Sequence, residues 1–184
     1  MSALPKPTAA DYLQQERAAE TKSEYIAGEI FAMAGASPAH NLIVGNLVRE
    51  FGTQLKKRPC RVYPSDLRLH AEDGYFYPDI SVVCGEPRFT DRDNLTNPTL
   101  LVEVLSPSTA DFDLGGKFAR YRRIESLQDY LVVAQDRIHL VHFHRQDASH
   151  WLMTEITDPQ AVIELPGIDC NLAVAEVYDK VFAG

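Results

Sequence analysis

Two apolar runs in this chain each carry a carboxylate at a position where burying one is costly. YFYPDISVVC places Asp79 directly after a proline, and TLLVEVLS sets Glu103 among leucines and valines. Runs of this length and composition read as strands covered on both faces. An acid within such a run must be paired, stand at a strand end or bind a cation. Held at neighbouring strand ends, the two can share a divalent cation through hard oxygen ligands. A nearby ammonium, Lys117 at the head of a basic helix, can steady a developing negative charge. The pattern is that of a metal-dependent phosphodiesterase site.

The surrounding chain supplies strands and helices in an order that suits such a site. Thr8 ahead of AADYLQQERAAE, with Asp11 three residues on, reads as a capped short helix. SEYIAGEIFAMA reads as two short strands about Ala27-Gly28. Ser37-Pro38 starts a helix in which Val44, Leu47, Val48, Phe51 and Leu55 recur on one face. Extended segments near CRVYPSDLRLH and YFYPDISVVC follow, separated by Glu72-Asp73-Gly74, an order that suggests a hairpin. TLLVEVLS, the Lys117 helix, DYLVVAQ and IHLVHFHR complete a sheet with a helical crossover, and WLMTEIT and AVIELP are candidates to extend it. The expected architecture is α/β, a central mixed β-sheet flanked by helices.

Size and composition narrow the function classes. At 184 residues and 45% hydrophobic, the chain is long enough for one self-supporting core and short for two, so residues 1–184 read as one domain. No apolar run approaches the ~20 residues that cross a bilayer. The start lacks a charged segment followed by an apolar block, so a cytoplasmic protein is expected. Cys60, Cys84 and Cys170 are odd in number and widely spaced, which indicates neither a zinc site nor a disulfide, and Cys84 reads as a buried thiol. A net charge of −8 means that nucleic-acid affinity must come from local basic patches. Lys117, Arg120, Arg122 and Arg123 crowd one helix; Lys56, Lys57, Arg58 and Arg61 crowd the end of another, where solvated charges that match the helix dipole explain them equally well.

The segments YPDISVVC, LLVEVLSPSTADFDLGGKFARYRR and DYLVV, with EYIAGEIFAMAGASPAHNLIVGNL and YPSDLRLH upstream, resemble the second group of the Uma family, restriction-endonuclease-like proteins of the PD-(D/E)XK nuclease superfamily. The resemblance covers almost the whole chain and implies a restriction-endonuclease-like core. It also implies a metal-dependent endonuclease acting on DNA, with Mg2+ or Mn2+ on Asp79, Glu103 and the Val104 carbonyl, and a homodimeric assembly. The superfamily's usual lysine position, two residues after the second acid, is Leu105 here; the resemblance assigns that role to the helix-borne Lys117. It adds His40 in SPAHNLIVGNL as a metal ligand or general base, where a core histidine is the plainer reading. Glu24 or Glu29 becomes a candidate third acid or a partner for His40.

Each remaining candidate has a plainer alternative. Asp113, four residues before Lys117, reads equally as a helix N-terminal acid or as the partner that orients the ammonium. Tyr121, one turn beyond Lys117, reads as packing with a possible hydrogen bond near the site. Alternation puts His142 and His144 on one strand face and His139 on the other, so three histidines are not expected to share a metal. Gly115-Gly116 lacks the phosphate-loop frame, and Ser106, Ser108 and Thr109 in LSPST resemble no nucleophile elbow. The competing function is a binding or structural module that keeps the nuclease fold with reduced chemistry. A third is a metal-dependent hydrolase of small phosphate compounds.

Overall fold

The computed structural model describes residues 6–33, 35–105 and 112–182. The chain opens on α1 (Ala9–Glu16), closed at its head by reciprocal bonds: the Asp11 N–H donates to Thr8 Oγ1 at 3.2 Å and the Thr8 N–H to Asp11 Oδ2 at 3.1 Å. β1 (Ser23–Ile26) and β2 (Glu29–Ala32) form a hairpin. Ala27 and Gly28, with φ of 50° and 86°, make its two-residue turn, whose twist matches the strands and requires positive φ at both positions. α2 (Pro38–Leu55) starts where Ser37 Oγ accepts the His40 N–H at 3.1 Å, with proline in the first turn.

Ten strands follow in the middle and end of the chain before the last two. β3 (Cys60–Pro64), β4 (Arg68–Ala71), β5 (Gly74–Phe76) and β6 (Ile80–Cys84) precede the short β7 (Phe89–Thr90) and β8 (Asn94–Leu95). β9 (Leu100–Leu105) leads to a π-helical turn over Phe112–Lys117 that runs into α3 (Phe118–Tyr121). β10 (Asp129–Ala134), β11 (Leu140–Arg145) and β12 (Trp151–Ile156) come next. The chain ends on β13 (Val162–Leu165), β14 (Cys170–Ala173) and α4 (Val174–Val177).

The central sheet has the order β12-β11-β10-β9-β6-β3. Only β9 and β10 run parallel within it, joined by the crossover that contains α3; the other pairs are antiparallel. This is the mixed sheet with flanking helices that the sequence suggests. One face packs Leu100, Val102, Leu131 and Val133 against Ile43, Leu47, Phe51 and Leu55 of α2 and against the β13–β14 hairpin. The other packs Leu101, Leu105, Tyr130 and Val132 against Leu69, Phe76 and Leu95 of a second sheet, ordered β2-β1-β5-β4-β8-β7.

Three expectations are corrected by this topology. The hairpin about Glu72-Asp73 is β4–β5, but each extended segment splits: β3 and β6 join the central sheet while β4 and β5 join the second. AVIELP does not extend the central sheet, because β13 pairs with β14 alone. The stretch read as a helix headed by Lys117 starts as a wider π-helical turn, with Lys117 at its end. Residues 106–109 of the LSPST motif lie outside the described residues.

Cysteine pairing is the fourth correction. Cys60 and Cys84 stand directly opposite each other on antiparallel β3 and β6 and are joined as a disulfide, while Cys170 is free and buried. A separation of 24 residues carried no pairing signal; register alone makes them neighbours. Closing a loop of that length contributes on the order of 3 kcal/mol through the unfolded chain. Thiol titration of the denatured, air-oxidised protein should therefore find one reactive cysteine, and three after reduction, with a lower Tm for the reduced form.

Candidate active site

The two acids flagged by the apolar runs meet where β6 begins and β9 ends. Ile80 pairs with Val102, so one further step in that antiparallel register sets Asp79 opposite Glu103. Beyond the last β6–β9 pair the Val104 N–H turns to the Asp79 side chain, donating to Oδ2 at 2.8 Å. The other carboxylate oxygen, Oδ1, lies 2.9 Å from His40 Nε2 on the first turn of α2. This bond raises the His40 imidazole above its usual 6.5, against the lowering effect of burial; the charge of Asp79 and the Val104 carbonyl add to the rise. Asp79, His40 and both polar groups of Val104 thus form one contiguous set.

Glu103 anchors the second half. Its Oε1 accepts the Tyr121 hydroxyl at 2.9 Å and lies 3.1 Å from Lys117 Nζ. The same ammonium is 3.0 Å from Glu24 Oε1 and 3.3 Å from Asp113 Oδ1, one turn earlier in its own segment. The buried Asp113 oxygen meets that ammonium as an ion pair and has no hydrogen-bond partner. Burial opposes the charge on Lys117, yet Glu103, Glu24 and Asp113 outweigh it and hold the ammonium above its ordinary range. Glu103 responds the other way: desolvation pushes its carboxyl well above normal, Lys117 pulls it back, and Asp113, Asp79 and Glu24 push it up again. Tyr121, fully buried, is held far above its usual range by burial and then by Glu103, so its hydroxyl stays a donor.

Four buried carboxylates, Glu24, Asp79, Glu103 and Asp113, therefore surround one buried ammonium and one imidazole. That excess of hard oxygen donors over cations suits a divalent cation of the magnesium class. Asp79, Glu103 and the Val104 carbonyl are the groups of the set at the strand ends that would hold it.

Of the residues singled out from sequence, Asp79, Glu103, Val104, His40, Lys117, Asp113 and Tyr121 come together. Glu29 does not: it is exposed on β2 and pairs with Lys6 at 2.9 Å. Glu24, on the inward side of β1, takes the place in the cluster, and it is fixed there by the Tyr77 N–H at 3.1 Å. Leu105 packs into the apolar core, as its residue type requires. Gln135 was missed; its Nε2 donates to the Leu105 carbonyl at 2.8 Å and its Oε1 contacts the Ser37 hydroxyl, so it ties the end of β9 to the head of α2. No sequence signal marks it. Tyr130 was missed as well, and donates to the Asp113 carbonyl at 2.9 Å.

The basic groups divide by position. Arg120 and Arg123 line an open groove with Arg88, Thr96 and Asn97 beside α3, although Asp73 and Glu72 partly neutralise them. Arg58 and Arg61 bind Asp169, Glu86 and backbone carbonyls toward the Cys84 end of β6, away from Asp79.

Comparison with known proteins places this arrangement in a family. The Uma2 family, described as "putative restriction endonuclease", matches residues 9–175. The chain belongs to that family. It is 44% identical over 161 residues to the Synechocystis protein sll1609, covering 85% of this chain and 91% of that one. It is 37% identical over 180 residues to slr1290 of the same organism, covering 95% and 93%. Both are described as uncharacterized. The fold matches the crystal structure of a protein from Anabaena variabilis titled a putative nuclease belonging to DUF820, with a TM-score of 0.78, 19% identity and coverage of 96% and 99%. This Uma2 protein thus has a restriction-endonuclease-like fold.

The His40–Asp79 contact makes a measurable prediction. Because the imidazole is raised in the folded protein, the pair contributes stability that is complete below 6.5 and is lost as pH rises through the folded value. NMR titration should find His40 above 6.5, and Asp79→Asn should lower it, since burial then acts against the Val104 carbonyl alone. An unchanged titration would mean that the pair is not formed.

Proposed function

We propose that this Uma2 protein is a metal-dependent endodeoxyribonuclease, with residues 1–184 acting as one nuclease domain. The observation that carries the reading is the convergence of Asp79, Glu103 and Lys117 at the adjoining ends of β6 and β9. Asp79, Glu103 and the Val104 carbonyl would hold Mg2+ or Mn2+. Such an ion lowers the pKa of a bound water and polarises the scissile phosphate. Lys117, charged at any working pH, offsets the negative charge that develops on the phosphate, as a helix-borne substitute for a lysine at Leu105. Tyr121 keeps Glu103 in one orientation, and Glu24 and Asp113 keep the ammonium aimed at it. His40, when neutral, keeps its Nε2–H on Asp79 Oδ1, which leaves Nδ1 as the ring nitrogen that would accept a proton. The groove beside α3 supports a DNA backbone as the partner, since it gathers the positive side chains of Arg88, Arg120 and Arg123.

Access to DNA implies the cytoplasm, where the Cys60–Cys84 pair would be open while the thiol pool is reduced. None of the described helices is long and apolar enough to cross a membrane. The test is nicking of supercoiled plasmid. Wild type should nick with Mg2+ or Mn2+ and not with EDTA, Asp79→Ala should be inactive, and Lys117→Met, assayed below its lowered Tm, should lose ~10²–10³ in rate. Cleavage by Lys117→Met at the wild-type rate would overturn the mechanism. A folded wild type that binds DNA without nicking it would favour the non-catalytic module.

We further infer a homodimer, which would double the basic contacts available to an acidic chain. β12 is an edge strand of the central sheet and leaves Leu152 and Met153 more than half exposed, at 55% and 59%. Light scattering should give twice the chain mass, and Met153→Lys should restore the monomer; a monomer that persists with DNA and Mg2+ would rule the dimer out.

A further inference from the structure

We propose that Asp129, His142 and His144 form a separate site for a transition-metal ion of the zinc class. Asp129 opens β10, and His142 and His144 stand two residues apart on the adjoining β11. Asp129 Oδ1 lies 2.8 Å from His142 Nε2 and 2.8 Å from His144 Nδ1, and the three donor atoms fall within 4.8 Å of one another. Tetrahedral ligands at zinc distances of about 2.0–2.2 Å sit roughly 3.3 Å apart, so each aspartate–histidine separation would open by about half an ångström to take the ion. His139 is on the other strand face and pairs with Glu155, so the third ligand is the aspartate that the histidine pattern alone does not reveal.

Charge and support point the same way. Asp129 is fully buried, and the only positive or potentially positive groups beside it among the described residues are these two imidazoles. A buried carboxylate without an ammonium or guanidinium is expensive unless a proton or a cation compensates it. Its second oxygen, Oδ2, accepts the Gly167 N–H at 2.8 Å, an outer contact that fixes the carboxylate's orientation. A Cβ at residue 167 would stand 2.5 Å from that oxygen, so the contact needs glycine. His144 is partly exposed, with 24% of its side chain accessible, which leaves a path for entry and for a water as fourth ligand.

The site is independent of the carboxylate cluster around Lys117. Asp129 and His142 project from the face of the central sheet that packs α2, whereas Glu103 projects from the opposite face with Leu101 and Leu105. Asp129 also pairs with Leu100, three residues or ~10 Å along β9 from Glu103. Two imidazoles and one carboxylate favour zinc, cobalt or nickel over magnesium, which prefers all-oxygen ligands. Since Gly167 lies in the β13–β14 turn, the ion would fasten the C-terminal hairpin to the central sheet.

The experiment is a Co2+ titration of the full chain in an Asp79→Ala background, which removes the other candidate metal site. One equivalent should bind with visible d–d bands of a tetrahedral nitrogen–oxygen site and no thiolate charge-transfer absorption, and Zn2+ should displace it. Zn2+ should also raise the Tm of this protein. His144→Leu should weaken binding by more than the roughly 10–100-fold that loss of an outer partner costs, and His144→Asp, which restores a ligand, should recover it. Circular dichroism confirms that both variants fold. Failure of the parent to bind one equivalent, or equal binding by His144→Leu, would overturn the site and leave a carboxylate hydrogen-bonded to two imidazoles.

Discussion

The buried ammonium of Lys117 is the contact on which the rest of the site's geometry depends. Within hydrogen-bonding or ion-pair distance it collects Glu24 from β1, Glu103 from β9 and Asp113 from the π-helical turn. Those acids belong to two different sheets and to the crossover that follows β9. Removing a buried charge from such a set costs more than the set itself contributes, because its partners are left unpaired in a low-dielectric interior. Lys117 therefore holds the second sheet against the central one at the point where the acids gather. The wider π-helical turn brings the lysine and Asp113 to the same side of the segment.

Around that contact the electrostatics are deliberately unequal. Asp79 and His40 form a second pair beside the first, joined to it through Val104, whose N–H binds Asp79 while Glu103 precedes it in β9. Carboxylates still exceed cations, so neighbouring acids add to burial in pushing Glu103 upward, against the pull of Lys117. An excess of this kind is costly for stability and useful for binding a cation. The net charge of −8 extends the same bias to the whole chain, and the arginines near α3 are partly matched by Glu72 and Asp73. Phosphate must then be met locally, and the groove lined by Arg88, Arg120 and Arg123 is a place where positive side chains gather.

The two faces of the central sheet carry different chemistry. Oxygen donors and an ammonium occupy the face toward the second sheet, while a carboxylate and two imidazoles occupy the face toward α2 and the C-terminal hairpin. The period of two along each strand separates them: Glu103 follows Leu101, whereas Asp129 and Leu131 point the opposite way from Tyr130. One sheet can thus hold a hard and a softer cluster without mixing their ligands.

Local pattern was enough to locate α1 with its capping box, the I′ hairpin of β1 and β2, the α2 start at Ser37-Pro38 and the acid-bearing strands β6 and β9, because caps, turns and apolar runs are short-range signals. It was also enough to single out Asp79 and Glu103, since a charge in an apolar run stands out before any fold is known; Lys117 was marked by its place at the head of a basic segment and by the family resemblance. It could not choose Glu24 over Glu29, find Gln135, pair Cys60 with Cys84 or add Asp129 to His142 and His144. Each of those depends on register between strands distant in sequence, and a slip of one residue would turn every one of the side chains to the other face. Composition and periodicity determined which residues needed partners; only the packing of two sheets about β9 decided who the partners were.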